Sequence, residues 1–195
     1  MDLEARETTM RAVDELAGDL LVCVMFEGEA PPRGVAGLVD WRTEGALSRL
    51  IQRGLVTGAL ADRVLLAGGR SLSFERIVVV GLGPASAFEA TACRAALASM
   101  TEIVAGLRTR RVALEVPRNA AAIARPASAS TSDGASVSAT EAAKLLGEAL
   151  ARLDREGHVD TLTVLDAESA LPAYFELARH RALERRRAVT GARGL

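Results

Sequence analysis

Two glycines and a serine that follow an apolar run are the residues of this chain whose types and spacing best suit binding chemistry. Ile77 to Val80 are four β-branched residues in a row, and Gly81, Gly83 and Ser86 come directly after them. Such a run predicts a strand in mid-sheet, buried on both faces, which the glycines end. A helix that begins beyond a glycine turn directs free N–H groups and a positive dipole end outward, where they can hold an anion such as a phosphate.

The same residues have a structural interpretation. Ser86 and Glu89 have the spacing of a capping box, in which the two side chains satisfy N–H groups at a helix start. Glycines also let a buried strand turn tightly under the helix that follows. No lysine or arginine lies between Arg76 and Arg94 to balance a diphosphate. We therefore favour the structural role, and the two glycines and the serine stay candidate ligand-binding residues.

Other side chains that could do chemistry are dispersed. Cys23 lies in an apolar run without a basic neighbour that would lower its pKa, so we expect an inert thiol. His158 and His180 belong to different predicted elements, and Asp160 and Asp166 flank a predicted strand, where we expect solvated ends. No group of histidines, cysteines and acids has the spacing of a metal site. We therefore predict no catalytic residue, no metal ligand and no cofactor.

Length and composition indicate one domain spanning residues 1–195. Apolar residues make up 49% of the chain, and the mean hydropathy is +0.18, which is enough for a sizeable core. The 24 basic and 25 acidic residues leave a net charge of −1, so we expect neither nucleic acid nor a membrane as partner. The chain lacks a signal peptide and an apolar run of about 18 residues. We expect a reduced, cytoplasmic protein.

Apolar runs and helical repeats predict the elements around the glycine turn. We predict strands at 8–13, 19–27, 64–67, 77–80, 112–116 and 158–165. The first is an edge strand, for which a short helix is the alternative, and the strands at 64–67 and 77–80 should be neighbours. Alternation of these strands with helices predicts an α/β fold: three α/β/α layers, with helices on both faces of a mostly parallel or mixed sheet.

Four helices are predicted from periodicity and capping residues. The first begins at Thr43 and ends before Gly54, and the second begins at Ser86 and continues to about residue 107. Ser138 and Glu141 form a second capping box, which opens a helix that ends at Gly157. The inward residues expected in the last helix are Leu171, Phe175, Ala178 and Ala182. Residues 119–139 are rich in Ser and Ala and lack periodicity, which predicts a mobile loop. The last predicted segment is a basic tail at residues 185–195.

An ordered set of segments resembles the N-terminal domain of the leucyl aminopeptidase family, over about residues 19–107. The segments are Asp19-Leu-Leu-Val-Cys-Val-Met-Phe-Glu-Gly, Leu38-Val-Asp-Trp, Gly45-Ala-Leu-Ser-Arg-Leu-Ile, Gly54-Leu-Val-Thr-Gly and Arg76-Ile-Val-Val-Val-Gly-Leu-Gly. The resemblance implies a macro-domain-like fold, which in that family precedes a catalytic domain with two metal ions. The metal-ligand motifs of that catalytic domain, such as Asn-Thr-Asp-Ala-Glu-Gly-Arg, do not occur in this chain. The chain thus looks like the N-terminal domain standing alone.

Three functions from different classes follow. The resemblance favours a non-catalytic assembly or regulatory module, because the family is oligomeric; a homodimer is the expected assembly. The first alternative is a macro-type module that binds ADP-ribose or a nucleotide phosphate, although the Asn-Ala-Ala-Asn and triple-glycine segments of binding macro domains are absent. The second alternative is a subunit of a metal-dependent aminopeptidase whose catalytic domain is on another chain. A monomer would have to bury the aromatic side chains of Trp41, Phe88, Tyr174 and Phe175.

Overall fold

A computed structural model describes residues 1–118 and 137–191 of the chain, and their side chains as far as Arg187. Its strands are β1 (Asp2–Glu7), β2 (Gly18–Met25), β3 (Arg63–Ala67), β4 (Phe74–Gly81), β5 (Arg111–Glu115) and β6 (Thr161–Asp166). Its α-helices are α1 (Met10–Glu15), α2 (Gly34–Arg42), α3 (Ala46–Gln52), α4 (Ala90–Gly106), α5 (Ala139–Glu156) and α6 (Leu171–Gly191). Among these described helices, none has the length and apolar content needed to cross a membrane.

Within the described residues, the strands form one six-stranded sheet in the order β1-β6-β5-β2-β4-β3. Neighbouring strands are parallel except for β3, which runs antiparallel to β4. Helices α1, α2 and α3 contribute to the core on one face of the sheet, where Leu21, Cys23 and Ile77 are buried. Helices α4, α5 and α6 cover the other face, where Leu20 and Val78 are buried. The predicted three-layer α/β/α fold with a mixed sheet is confirmed.

The two central strands follow from their composition. Each residue of β2 from Leu20 to Met25 is buried, as is each residue of β4 from Ile77 to Gly81. Runs that are apolar at every position suit strands with helices on both sides, and in the sheet Leu21 lies opposite Ile77. The predicted pairing of β3 with β4 is also confirmed.

The prediction of an edge strand at residues 8–13 is wrong, and the alternative of a short helix holds. The Thr9 hydroxyl accepts a hydrogen bond from the Ala12 N–H at 3.1 Å and so caps helix α1. The edge strand lies just before it, in β1, where Leu3 and Ala5 pack against the core and alternate with charged residues. That alternation is the signal of a half-buried strand.

The prediction of one helix beginning at Thr43 is wrong, because residues 34–52 form two helices. Thr43 ends α2, and its hydroxyl donates to the Val39 carbonyl at 2.8 Å. Gly45 then adopts a left-handed conformation, with φ of +78°, and α3 begins at Ala46. A threonine can satisfy either end of a helix, so its type alone does not decide which end it marks.

The capping box predicted at Ser86 and Glu89 does not form. A short 3₁₀ turn spans Ala85–Ala87, and α4 begins only at Ala90, with Glu89 as its N-cap residue and no side-chain hydrogen bond. Phe88 lies between the turn and the helix with its ring buried edge-on against Phe26, at a centroid distance of 5.2 Å. Burial of this aromatic ring fixes the path of the chain, so the helix begins only after Phe88.

Of the second capping box, the serine half is present. The Ser138 hydroxyl accepts from the Glu141 N–H at 3.1 Å, and Gly157 ends α5 with a φ of +66°. Of the predicted mobile loop, residues 119–136 lie outside the described residues, whereas Val137 is buried beside the cap. Helix α6 continues to Gly191 through most of the segment predicted as a basic tail.

In α6 the inward aromatic residue is Tyr174, which is fully buried, and not Phe175, whose exposed fraction is 53%. Trp41 on α2 is 74% exposed, so two of the four large aromatic side chains expected inside a monomer lie on the surface. They lie on helices that cover opposite faces of the sheet.

Candidate functional site

The glycine turn after β4 is closely packed. The Gly81 N–H donates to the Asp62 carbonyl at 2.8 Å, and the Gly83 N–H donates to the Gly58 carbonyl at 2.9 Å. Both glycines are buried, while Ser86 is exposed. The structure therefore brings the two glycines together against the 58–62 loop, and their N–H groups already have backbone acceptors.

Space explains why glycine stands at both positions. A Cβ atom on Gly81 would lie 2.0 Å from the carbonyl oxygen of Ala59, far inside van der Waals contact. Gly83 has a φ of +74°, in the left-handed region that favours glycine, and an added Cβ would lie 3.3 Å from Cβ of Leu60. These contacts support the structural interpretation of the turn.

A crevice of about 620 Å³ lies at the carboxyl ends of β1, β2, β5 and β6. In open α/β sheets this edge is the usual location of a ligand site. Its charged lining residues are Glu7, Glu29, Arg33, Glu115, Arg118, Asp166 and Glu168. Gly81, Gly83 and Ser86 are not among the residues that line it.

Glu115, the last residue of β5, joins three elements at the floor of this crevice. One carboxylate oxygen accepts from the Val24 N–H of β2 and the other from the Val35 N–H at the start of α2, each at 3.0 Å. Burial raises the pKa of Glu115 to about 8, although the two N–H groups act in the opposite direction. The N-terminus of α2, where an external anion would bind, is therefore already occupied by a carboxyl group of the chain itself.

Asp166, the last residue of β6, is the second buried acidic group of the crevice. The prediction that it is a solvated strand end is wrong. It is 4% exposed, and its carboxylate accepts from the Tyr174 hydroxyl at 2.6 Å and from the Ala167 N–H at 2.7 Å. The Arg118 guanidinium lies 3.1 Å away. Burial raises the pKa of Asp166, and the hydrogen bond from Tyr174 and the positive charge of Arg118 oppose that rise.

The charge balance of the crevice disfavours anions. Of the described side chains that line it, five are carboxyl groups and two are guanidinium groups. The guanidinium of Arg118 is already paired with Asp166. A diphosphate in the crevice would therefore meet more carboxyl groups than guanidinium groups, and a helix N-terminus that Glu115 has filled.

The remaining candidate residues stay apart. Cys23 is buried, and desolvation raises the pKa of its thiol well above its usual range. Desolvation likewise raises the pKa of the Cys93 thiol, to about 12. Within residues 1–118 and 137–187, no three His, Cys, Asp or Glu side chains lie close enough together to hold a metal ion. His180 lies on α6, beside Glu184, and His158 precedes β6.

The free edge of the sheet at β3 is the second notable surface. Leu65 of β3 is 59% exposed and lines an open apolar groove of about 280 Å³ between β3 and the end of α4. The floor of the groove is Val78, which lies opposite Leu65 in the sheet, and Ile103 and Leu107 contribute its other apolar side chains. Among the described residues, no strand pairs with β3 on the side away from β4, and four of the five residues of β3 are apolar.

Comparison with known proteins gives a family and a fold. The model of the cytosol aminopeptidase family, N-terminal domain, matches residues 22–138. A probable cytosol aminopeptidase of Cupriavidus metallidurans is 31% identical over 90 residues, which are 46% of this chain and 18% of that protein. The chain therefore spans less than a fifth of the length of this relative.

Solved structures share the fold. A tomato leucine aminopeptidase mutant aligns with a TM-score of 0.58 and 18% identity, over 92% of this chain and 35% of that one. A Trypanosoma brucei macrodomain in complex with ADP aligns with a TM-score of 0.64 and 13% identity, over 90% of this chain and 68% of that one. At these identities the likeness concerns the fold alone. The family match covers more than half of the chain, which thus belongs to the cytosol aminopeptidase family through its N-terminal domain.

Proposed function

We propose that this chain is a non-catalytic assembly module that associates with a second copy of itself. The match to an N-terminal domain of the family supports a role other than catalysis. The observation that carries the proposal is the open, apolar edge at β3, where Leu65 and the groove beside it face solvent. An exposed apolar edge strand is a template for pairing with another chain.

The opposite edge of the sheet supports this choice by contrast. Strand β1 is packed against α6 and carries the charged residues Asp2, Glu4, Arg6 and Glu7. Cover by a helix and charged side chains are two ways in which proteins keep an edge strand from pairing. Strand β3 has a single charged residue, Arg63, at its start. One edge is thus protected and the other is open.

Light scattering over a range of concentrations tests the proposal. We expect a mass that rises toward twice the 20.5 kDa of one chain. Leu65→Lys should hold the protein at the monomer mass, because it places a charge in the apolar edge. Leu55→Lys is the matched control, since Leu55 is 65% exposed but lies outside the β3 groove. A monomer mass for the unaltered chain at high concentration would end the proposal.

A second candidate function is binding of a small ligand in the crevice, which its size and position at the carboxyl ends of the strands favour. Because Glu115 fills the N-terminus of α2, we expect no binding of ADP-ribose, and no rise in melting temperature at millimolar concentration. Saturation at a hundred times the dissociation constant would stabilise the fold by about 2.7 kcal/mol, which a melting experiment detects. A rise of several degrees would favour this macro-type function.

A further inference from the structure

We infer that two copies of this chain join their sheets edge to edge through β3, antiparallel and related by a twofold axis at Leu65. This inference rests on the proposed self-association and adds the residues that pair. Its basis is the direction of the backbone groups of β3, which the register with β4 fixes.

Backbone groups alternate along an antiparallel edge strand, so that every second residue is bonded to the neighbouring strand and the others point away. At one end of β3 the Asp62 carbonyl accepts from the Gly81 N–H, and at the other end the Gly68 N–H donates to the Glu75 carbonyl. The register between these two pairs is unbroken. Residues 62, 64, 66 and 68 therefore point toward β4.

The other residues of the strand, Arg63, Leu65 and Ala67, direct their N–H and C=O groups outward from the sheet. A second copy of β3 that ran antiparallel would offer the same groups in the matching positions. A twofold axis through Leu65 then places Leu65 opposite Leu65 of the second copy and Arg63 opposite its Ala67. The outward pairs would form about six backbone hydrogen bonds, two for each pair.

The side chains suit this arrangement as well as the backbone does. A twofold axis perpendicular to the sheet keeps each face on the same side, so the two Leu65 side chains would meet beside the apolar grooves that contain Ile103 and Leu107. Arg63 would face an alanine and not a second arginine, so no like charges are opposed. Arg63 keeps its partner Glu102 on its own chain, at 3.9 Å. The edge is thus complementary to itself in hydrogen bonds, apolar contact and charge.

Disulfide trapping tests the register. In L65C the two new thiols would belong to residues directly opposite each other, with Cα atoms about 5.5 Å apart, which suits a disulfide. The matched control is A67C, whose two Cα atoms would lie about 14 Å apart across the axis, too far to be bridged. A mixture of R63C and A67C chains should cross-link, because these positions would be opposite. Cys23 and Cys93 are buried and give little background.

We expect L65C to form a covalent dimer under mild oxidation, and R63C with A67C to form one only as a mixture. A dimer mass without cross-linking of L65C would overturn this register and leave the proposed self-association standing. Cross-linking of A67C alone as strongly as L65C would also overturn the register. A monomer mass at every concentration would overturn both the register and the proposed function.

Discussion

A single methyl group at Gly81 should weaken the fold far more than the same group at Gly106. In Gly81→Ala the added Cβ would lie 2.0 Å from the Ala59 carbonyl oxygen and 2.9 Å from the carbonyl of Gly58. These are backbone atoms, so the 58–62 loop must move. At Gly106, the last residue of α4, an added Cβ has nothing within 4 Å.

The cost at Gly81 can be worked out from its contacts. Overpacking of this kind costs about 1–3 kcal/mol. Movement of the loop also weakens the hydrogen bonds from the Gly81 and Gly83 N–H groups to the loop carbonyls, each worth about 1 kcal/mol. We expect a loss of about 2–4 kcal/mol, which corresponds to a fall of roughly 5–15 °C in melting temperature for a domain of this size. Gly106→Ala should gain up to about 1 kcal/mol from helix propensity.

Thermal unfolding followed by circular dichroism measures both variants. They should be compared at one low protein concentration, because self-association makes the melting temperature depend on concentration. Gly81→Ala with a melting temperature within about 2 °C of the unaltered chain would refute the reasoning. A fall as large in Gly106→Ala would refute it too, since that result would mean that any added methyl group harms this chain.

Three further predictions concern the crevice and catalysis. Glu115 has a pKa of about 8 in the folded protein, against an ordinary value of 4.5. Between pH 4.5 and pH 8 the folded state therefore binds a proton that the unfolded state has lost. The free energy of unfolding falls as the pH rises from 4.5 to 8, and it levels off above pH 8. Urea unfolding should show Glu115→Gln gaining on the unaltered chain from about pH 5 to pH 8; a constant difference would contradict the raised pKa. Tyr174→Phe removes a 2.6 Å hydrogen bond to buried Asp166 and should lower the free energy of unfolding by about 1–3 kcal/mol. Phe175→Leu, on the surface, should change it by no more than about 0.5 kcal/mol. Equal urea midpoints for the two variants would contradict this role for Tyr174. With manganese or zinc, the purified chain should release no leucine from leucyl amide, because no three metal-ligating side chains lie together among its described residues. Turnover that a chelator abolishes would overturn this prediction.

Signals along one segment gave strands β2 to β6 and the three long helices α4, α5 and α6, but neither β1 nor α2. The β-branched run that ends at Val80, and the apolar run that begins at Leu20, identify β4 and β2, because burial on both faces demands apolar residues at every position. Helix ends were harder. The predicted cap at Ser86 failed because burial of Phe88 overrides the local preference for a helix start, and that burial depends on Phe26, far away in the chain.

The crevice could not be derived in the same way, because its groups converge from distant segments. Glu115 binds Val24 and Val35, which are 91 and 80 positions away in sequence. A partial signal does exist. Glu115 and Asp166 each end an apolar strand, and the carboxyl ends of neighbouring parallel strands meet at one edge of a sheet. Tyr174 could be told from Phe175 only by its hydroxyl, which needs a buried partner.

The pairing of β1 with β6 has a consequence for the order in which the chain folds. Asp2 lies opposite Thr161 and Glu7 opposite Asp166, so about 160 residues separate the two strands along the chain, a costly loop to close. Strands β3 and β4, by contrast, are near in sequence and can pair early. We expect β1 to add to the sheet last, in a slow step set by this long-range contact. A chain emerging from the ribosome would keep its first strand unpaired until β6 had followed it out.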